Sequence, residues 1–295
     1  MGDAEHTGPP ACSAPLHLYC GVDVGASATK VVLLDETLAV RGRSVRPSGV
    51  DYLATARSCL EECLAHAGGD ASAIASTVAT GYGRHNVTFA NGTSTEIQCQ
   101  GIGCFHHFPQ PITIVDIGGQ DNKVIRLETD GRRIGFKMNR KCAAGTGAFI
   151  EEIALRLGLE LADMERLASS TKDAVRLSSF CTVFAKTEIL THLRNGESAA
   201  GIVRGTFCSV VQRVMEMDPL DGQVVLTGGV IAHNPTIGEI LAARLGHEVL
   251  IPPHPQLTGA LGAALAAARR HGEGDQAADA SDPGGPEPRE RDQGG

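Results

Sequence analysis

The 295-residue sequence contains no tryptophan, and aromatic residues make up only 4% of it. Aromatic platforms on which bases could stack are therefore scarce. The formal net charge of −8 also argues against the concentrated basic surface that a nucleic-acid backbone requires. No run of about 20 apolar residues occurs, so we expect no membrane-spanning helix and neither a nucleic-acid nor a membrane partner.

The sequence also lacks any C-x-x-C pair, which disfavours zinc ribbons and thioredoxin-like chemistry. Its first 15 residues have neither the basic start nor the apolar run of a secretion signal, so we expect a cytoplasmic chain. In that compartment an odd number of cysteines does not indicate a disulfide framework. The nine cysteines are Cys12, Cys20, Cys59, Cys63, Cys99, Cys104, Cys142, Cys181 and Cys208.

Apolar residues are nearly absent from 272–295, so this stretch is predicted to be a disordered tail. Residues 1–16 are small and polar, and they are predicted to form a flexible arm. Between these ends, three segments combine an apolar strand with a glycine-bearing turn, at 18–35, 112–128 and 223–235. Helical periodicity occurs at 51–67, 146–158, 181–195, 198–217, 236–245 and 257–270.

Two of these strand segments are similar to each other, V-D-V-G-A at 22–26 and V-D-I-G-G at 115–119. Their likeness suggests a duplicated lobe, and the mixture of strands and helices predicts an α/β fold with a cleft between two lobes. The alternative is that they are two ordinary hairpins, because aspartate and glycine both favour turns.

The repeated turns have the composition of a nucleotide-phosphate site, because glycine lets backbone N–H groups approach phosphate oxygens and carboxylates hold a hydrated Mg²⁺. Lys30 is a candidate to neutralise phosphate charge, and Gln120 to orient the attacking water. A third turn after 223–227 is a candidate adenosine site. The candidate residues are Asp23, Gly25, Ala26, Ser27 and Lys30 in the first turn, Asp116, Gly118, Gly119 and Gln120 in the second, and Thr227, Gly228 and Gly229 in the third.

Several motifs together resemble one family. They are GVDVGASATK (21–30), GYGR (81–84), DIGGQD (116–121), NRKCAAGTGAF (139–149), SSFCTVFAKTEI (178–189), LTGGV (226–230) and GALGAAL (259–265). The chain resembles the BadF/BadG/BcrA/BcrD-type ATPases, which include the activators of 2-hydroxyacyl-CoA dehydratases and belong to the acetate kinase–sugar kinase–Hsp70–actin superfamily. The CAAGTG and CTVFA segments are the specific ones.

This resemblance implies two ribonuclease-H-like (actin-like ATPase) lobes with an ATP cleft between them. The expected first lobe is 17–111, with the helix at 257–271 packing back on it, and the expected second lobe is 112–256. The resemblance also implies that Asp116 and Gln120 are catalytic and that Cys142 and Cys181 are ligands of a [4Fe–4S] cluster.

Four thiolates normally hold such a cluster, so a homodimer would supply two from each chain. Both cysteines precede helical segments, so they are expected at helix N-termini, where thiolates are favoured. Gly145 and Gly147, with Thr146 between them, would let the backbone pass close to the cluster. Without the flanking motifs, Cys142 and Cys181 would be interpreted as buried structural thiols.

The family's function, carried over as an expectation, is ATP hydrolysis that drives an electron from a ferredoxin or flavodoxin to a CoA-thioester dehydratase or reductase component. The expected cofactors are ATP, Mg²⁺ and one [4Fe–4S] cluster per homodimer. Two alternatives are a small-molecule kinase, such as an amino-sugar kinase, and a non-catalytic nucleotide sensor of actin or Hsp70 type.

One position departs from the family pattern E-I-x-x-H-A-x-G. Glu96 and Ile97 are kept, but Gln100 stands at the histidine position and Gly101 at the alanine position. No role is assigned to the seven other cysteines. Cys59 and Cys63 have the i, i+4 spacing of one helix face, and Cys99 and Cys104 near His106 and His107 leave a metal site open as a minor alternative.

Overall fold

The computed structural model describes residues 17–139, 142–178 and 181–272. The predicted arm at 1–16 lies outside these ranges, as does the predicted tail beyond Gly272. Within the described ranges, no helix combines the length and the apolar character needed to cross a membrane.

The first β-sheet has five strands in the order β3-β2-β1-β4-β5. β1 and β2 form an antiparallel hairpin, and β4 runs parallel to β1. Valine and leucine dominate the first hairpin, as expected for strands buried on both faces. The strands are Leu18–Val24 (β1), Ala28–Leu34 (β2), Val40–Pro47 (β3), Ile74–Thr80 (β4) and Gly92–Thr93 (β5).

The second sheet repeats the central part of this arrangement in the order β8-β7-β6-β9. β6 and β7 form an antiparallel hairpin, and β9 runs parallel to β6. The likeness of the two hairpins in sequence therefore reflects a likeness in topology. The strands are Ile112–Ile117 (β6), Asn122–Leu127 (β7), Arg133–Asn139 (β8) and Val224–Thr227 (β9).

Nine α-helices lie within the described residues, and they cover both faces of both sheets. They are Tyr52–Ala67 (α1), Glu96–His107 (α2), Gly147–Leu157 (α3), Leu161–Ser169 (α4), Thr182–Arg194 (α5), Ala199–Met217 (α6), Gly229–His233 (α7), Thr236–Leu245 (α8) and Thr258–Gly272 (α9). α1 packs on one face of the first sheet, while α3, α5, α6 and α8 form a larger core with the second. The predicted α/β class with two actin-like lobes is confirmed.

α2 and α9 lie between the two sheets and contact each other along their length. α9 covers the inner face of the first sheet, where Ala260 and Leu261 pack against Val32 and Leu34. α2 packs against Ile114 and other core residues of the second sheet. The two helices therefore connect the sheets mechanically, and their polar residues border the space between the sheets.

Glycine permits the close approach of these two helices. A Cβ atom on Gly103 of α2 would overlap the backbone carbonyl of Thr258, and one on Gly262 of α9 would overlap the carbonyl of Cys99. Any larger side chain at either position would force the helices apart.

All six predicted helical segments are helices in the structure, with ends shifted by at most two residues. α2, α4 and α7 were not predicted, and neither were β3, β4, β5 and β8. α2 contains two glycines and few apolar residues at helical spacing, which explains why its periodicity is weak.

Candidate functional site

The first hairpin brings a carboxylate and an ammonium group together at the end of a buried strand. Asp23 and Lys30 are cross-strand partners, and Lys30 Nζ lies 3.1 Å from Asp23 Oδ2. The turn between the strands is closed by the Gly25 N–H, which donates to the Ala28 carbonyl at 3.0 Å. The hairpin therefore presents a compact turn with one ion pair at its base.

The second hairpin reproduces this geometry. Asp116 and Lys123 are cross-strand partners whose Oδ2 and Nζ atoms are 3.3 Å apart. The Gly118 N–H donates to the Asp121 carbonyl at 2.9 Å, closing an equivalent turn. Lys123 was not among the predicted site residues, although its seven-residue spacing from Asp116 repeats the spacing of Lys30 from Asp23.

The two turns face each other directly. A Cβ atom on Gly119 would overlap the Ser27 hydroxyl, so the tips of the two turns are in contact range. Backbone N–H groups from two opposed turns can cradle a chain of phosphates from both sides. This arrangement is the one that the duplicated sequence motif predicts.

A threonine–glycine pair lies beside each aspartate, at the end of the neighbouring parallel strand. Gly81 follows β4 with a φ of +89°, and a Cβ atom there would be 2.5 Å from Asp23 Oδ1. Gly228 follows β9 with a φ of +100°, and a Cβ atom there would be 2.7 Å from Asp116 Oδ1. Glycine is required at both positions by conformation and by space.

A cleft with a volume of about 660 Å³ runs between these elements. This size suits a nucleotide-sized ligand. The predicted site residues that line it are Asp23, Gly25, Ala26, Ser27, Lys30, Asp116, Gly118, Gly119, Gln120, Gly147, Gly228 and Gly229. Thr227 is buried just behind the cleft and contacts Asp116, whereas Gly145 and Thr146 are buried beside the second turn.

Lys123 is the centre of a buried charge cluster at the cleft. Its ammonium lies 3.2 Å from Glu96 Oε2 and 2.6 Å from Asp121 Oδ1, in addition to its contact with Asp116. Burial by itself lowers the pKa of Lys123, but the three carboxylates outweigh it and raise the pKa above its ordinary value. Lys123 is therefore charged throughout the physiological range, and it holds three carboxylates in place.

Gln100, the residue at the family's histidine position, also borders the cleft. Its Nε2 donates to Thr227 Oγ1 at 2.5 Å, and Thr227 Oγ1 donates to Asp116 Oδ1 at 3.3 Å. Gln100 had no predicted role. It lies 127 positions before Thr227 in the sequence, so no local pattern indicates this contact.

The segment after Cys142 is bonded to the second turn. The Gly147 N–H donates to the Gly118 carbonyl at 2.9 Å, and the Ala148 N–H donates to the Gly119 carbonyl at 2.7 Å. The start of α3 is thus attached to the backbone of the candidate phosphate turn. α3 begins at Gly147, so Cys142 lies five residues before it, and the expectation of a helix N-terminus at Cys142 is wrong.

The reason is a separate turn between Cys142 and α3. The Thr146 hydroxyl and N–H both donate to the Ala143 carbonyl, and Gly145 has a φ of +81°. Cys181 differs, because it is the N-cap residue of α5 and lies at a helix N-terminus as expected.

Cys142 and Cys181 are the two exposed cysteines among the eight in the described ranges. The pKa values of the other six are raised by burial, so these thiols are poor ligands as thiolates. They are Cys20, Cys59, Cys63, Cys99, Cys104 and Cys208. The interpretation of Cys142 and Cys181 as buried structural thiols is therefore wrong, and these two accessible thiols of the described residues fit half of a four-thiolate set.

The remaining cysteines take structural positions. Cys59 and Cys63 lie on α1 in the core of the first sheet. Cys99 and Cys104 are buried on α2. Over the ranges the structure describes, no group of three histidine, cysteine or acidic side chains is placed to hold a metal ion, so nothing there supports a site at His106 and His107.

Two sheets of related topology, each contributing a carboxylate-bearing glycine turn to a shared cleft, define the actin-like ATPase class of proteins. Within that class the comparison with family models is specific. The chain belongs to the BadF/BadG/BcrA/BcrD ATPase family, whose model matches residues 20–267.

Characterised relatives are similar over nearly their full length. The activator of lactoyl-CoA dehydratase from Anaerotignum propionicum is 40% identical over 248 residues, covering 83% of this chain and 95% of the relative. The structure of the activator of the 2-hydroxyisocaproyl-CoA dehydratase from Clostridium difficile, with bound ADPNP, has a TM-score of 0.81 and 35% identity, covering 87% of this chain and 96% of that one. Component A of the Acidaminococcus fermentans (R)-2-hydroxyglutaryl-CoA dehydratase has a TM-score of 0.82 and 35% identity, covering 87% and 99%.

Proposed function

We propose that this chain is an ATP-hydrolysing, [4Fe–4S]-containing activator that donates low-potential electrons to a 2-hydroxyacyl-CoA dehydratase or a benzoyl-CoA reductase-type partner. Support comes from the family membership and from relatives that are named as dehydratase activators. The cleft supplies a nucleotide site, and the two exposed thiols supply cluster ligands. The cytoplasmic location and the lobe boundaries at 17–111 and 112–256 stay predictions.

The triphosphate is proposed to lie between the two hairpin turns. Backbone N–H groups near Gly25 and Gly118 would bind phosphate oxygens, and Lys30 would neutralise part of their charge. The turn formed by Thr227, Gly228 and Gly229 is proposed to lie against the adenosine, with Gly228 and Gly229 facing the cleft. The relative with bound ADPNP supports a nucleotide in a fold of this kind.

Hydrolysis is assigned to the second turn. Asp116 and Asp23 fit the carboxylates that hold a hydrated Mg²⁺, because both line the cleft from opposite sides. Gln120 is exposed at the tip of the second turn, where its amide can orient the attacking water. Lys123 already has three carboxylate partners, which leaves Lys30 as the better candidate for phosphate.

Cys142 and Cys181 are proposed to ligate the cluster together with the same two residues of a second copy. A cluster bound there would supply one-electron chemistry. The glycine-containing turn at 145–147 keeps the segment after Cys142 compact, and the N-terminus of α5 provides a positive end beside Cys181. Electrons are proposed to come from a ferredoxin or flavodoxin.

One observation supports the proposal that the nucleotide site and the cluster are coupled. The backbone of the second phosphate turn is hydrogen-bonded to Gly147 and Ala148, which follow Cys142 in the same short segment. A change at Gly118 and Gly119 on nucleotide binding or hydrolysis would therefore be transmitted to the segment that carries Cys142.

The test is substitution of the central carboxylate, Asp116→Asn, in anaerobically purified protein. We expect hydrolysis of ATP to fall at least about 100-fold, because Asp116 is assigned to the reacting centre. The iron content and the brown colour should be unchanged. Full ATP turnover in the variant would overturn the assignment of the second turn, whereas a colourless, iron-free parent protein would overturn the cluster.

A further inference from the structure

α2 presents two polar side chains to the cleft, Glu96 and Gln100. They are four residues apart, so they lie on the same face of the helix, one turn apart. Glu96 is half-buried and Gln100 is 6% exposed. A buried amide needs a hydrogen-bond partner, and the structure supplies one for Gln100 in Thr227.

Each of these side chains reaches Asp116 through one intermediate group. Glu96 Oε2 lies 3.2 Å from Lys123 Nζ, which lies 3.3 Å from Asp116 Oδ2. This connection fixes one oxygen of the aspartate by charge. Lys123 is buried, so the ion pairs are only weakly screened by solvent.

The second connection fixes the other oxygen. Gln100 Nε2 donates to Thr227 Oγ1, which donates to Asp116 Oδ1. Because a hydroxyl group has one proton, the Gln100 amide directs the Thr227 proton toward Asp116 by occupying its acceptor side. The two oxygens of Asp116 are thus held by two separate connections to the same helix.

The first hairpin shows no equivalent of these two connections. Among the described residues Asp23 and Lys30 form an ion pair with each other, and neither forms one with a residue of a helix. The two turns therefore differ in that Asp116, unlike Asp23, is connected to side chains of α2. We propose that Glu96 and Gln100 are positioning residues that orient Asp116 for ATP hydrolysis through Lys123 and Thr227. This inference rests on the proposed function.

Because of the location of α2, these connections to Asp116 depend on the angle between the two sheets. α2 packs on the second sheet and also on α9, which covers the first sheet. A change in the angle between the sheets would move Glu96 and Gln100 relative to Asp116. Hydrolysis would then proceed only in the arrangement that holds both aspartate oxygens.

The experiment compares Gln100→Leu with Gln98→Leu, the same chemical change at an exposed position of the same helix. We expect the kcat for ATP hydrolysis by the whole protein to fall about tenfold in Gln100→Leu with little change in KM, because outer residues that orient a reacting group typically contribute 10- to 100-fold. Gln98→Leu should hydrolyse ATP as the parent does. Gln100→His, which restores a donor, should recover most of the loss.

Two further variants separate positioning from a general loss of stability. Glu96→Gln should also lower kcat without raising KM, since it weakens the connection through Lys123. Thr227→Val and Gln100→Leu should be non-additive when combined, because they break the same connection.

An unchanged kcat in both Gln100→Leu and Glu96→Gln, alongside an inactive Asp116→Asn, would overturn this inference and leave the proposed function standing. Strict additivity of Thr227→Val and Gln100→Leu, or no recovery in Gln100→His, would also overturn it. Absence of ATP turnover in the unaltered protein would overturn both proposals.

Discussion

At the scale of single residues, the two thiols proposed as cluster ligands differ from the other described cysteines in exposure. Cys142 and Cys181 are exposed, while Cys208 is partly buried and its pKa is raised by burial. We predict that Cys142→Ser abolishes the cluster, because a hydroxyl group stays protonated at neutral pH and is then a poor ligand for iron. Anaerobic protein should lose its brown colour and its iron, about two atoms per chain for one [4Fe–4S] cluster per pair of chains. ATP binding, measured by titration calorimetry, should persist.

The matched control for this prediction is Cys208→Ser, which makes the same change at a partly buried thiol. It should keep its iron and its colour. Equal iron content in Cys142→Ser and the parent protein would show that Cys142 is not a ligand.

At the same scale, some site residues were predictable and others were not. Asp23, Asp116 and their glycines stand in a repeated motif, so their roles follow from local spacing. Lys123 was also predictable, because Asp116 and Lys123 repeat the spacing of Asp23 and Lys30. The position of Gln100 was not, since its partner Thr227 comes from a distant strand and only the packing of α2 brings them together.

Among the elements, α2 provides a test of how the sheets are connected. A Cβ atom on Gly103 would overlap the Thr258 carbonyl, whereas one on Gly101 would be 3.4 Å from Leu127. We predict that Gly103→Ala lowers the free energy of unfolding by about 1–3 kcal/mol, the usual cost of overpacking. Gly101→Ala should be neutral or stabilise by up to about 1 kcal/mol, because alanine favours the helix more than glycine does.

Urea unfolding of each variant, followed by circular dichroism, would show whether its midpoint lies below or above that of the parent protein. The substitution is the same and the positions are two residues apart, so helix propensity cancels in the comparison. Equal midpoints would mean that the α2–α9 contact is looser than the structure indicates.

Two of the unpredicted elements, α2 and β8, have physical reasons for their weak sequence signal. α2 is held by packing between two sheets rather than by an amphipathic pattern, so its apolar residues are spread around the helix. β8 has apolar residues at alternate positions, Ile134, Phe136 and Met138, but the strand is largely exposed and lacks the continuous apolar run of the buried strands. In contrast, the buried hairpins are rich in apolar residues, valine and leucine at 18–34 and valine and isoleucine at 112–127, and their strands were predicted correctly.

On the scale of the whole molecule, the proposed cluster requires two chains. Apolar side chains are exposed on α5, directly after Cys181. Phe184 is 68% exposed, Leu190 55% and Leu193 39%. Leu190 and Leu193 lie on one face of α5 and Phe184 on another, so apolar surface is available for a protein–protein contact on more than one side of this helix. A twofold axis beside the N-terminus of α5 would cover Phe184 and would also bring four thiols together.

We therefore predict that the iron-loaded protein is a homodimer and that Phe184→Ser weakens it. Each dimer contains the altered residue twice, so we expect the dissociation constant to rise at least about tenfold, equivalent to about 1.4 kcal/mol. Light scattering and iron analysis under anaerobic conditions would measure both quantities. Val50→Ser, at a fully exposed position outside α5, is the control and should leave the dimer unchanged. Iron-loaded protein that is monomeric at micromolar concentration would contradict the shared cluster, because two thiols from one chain cannot complete its ligand set.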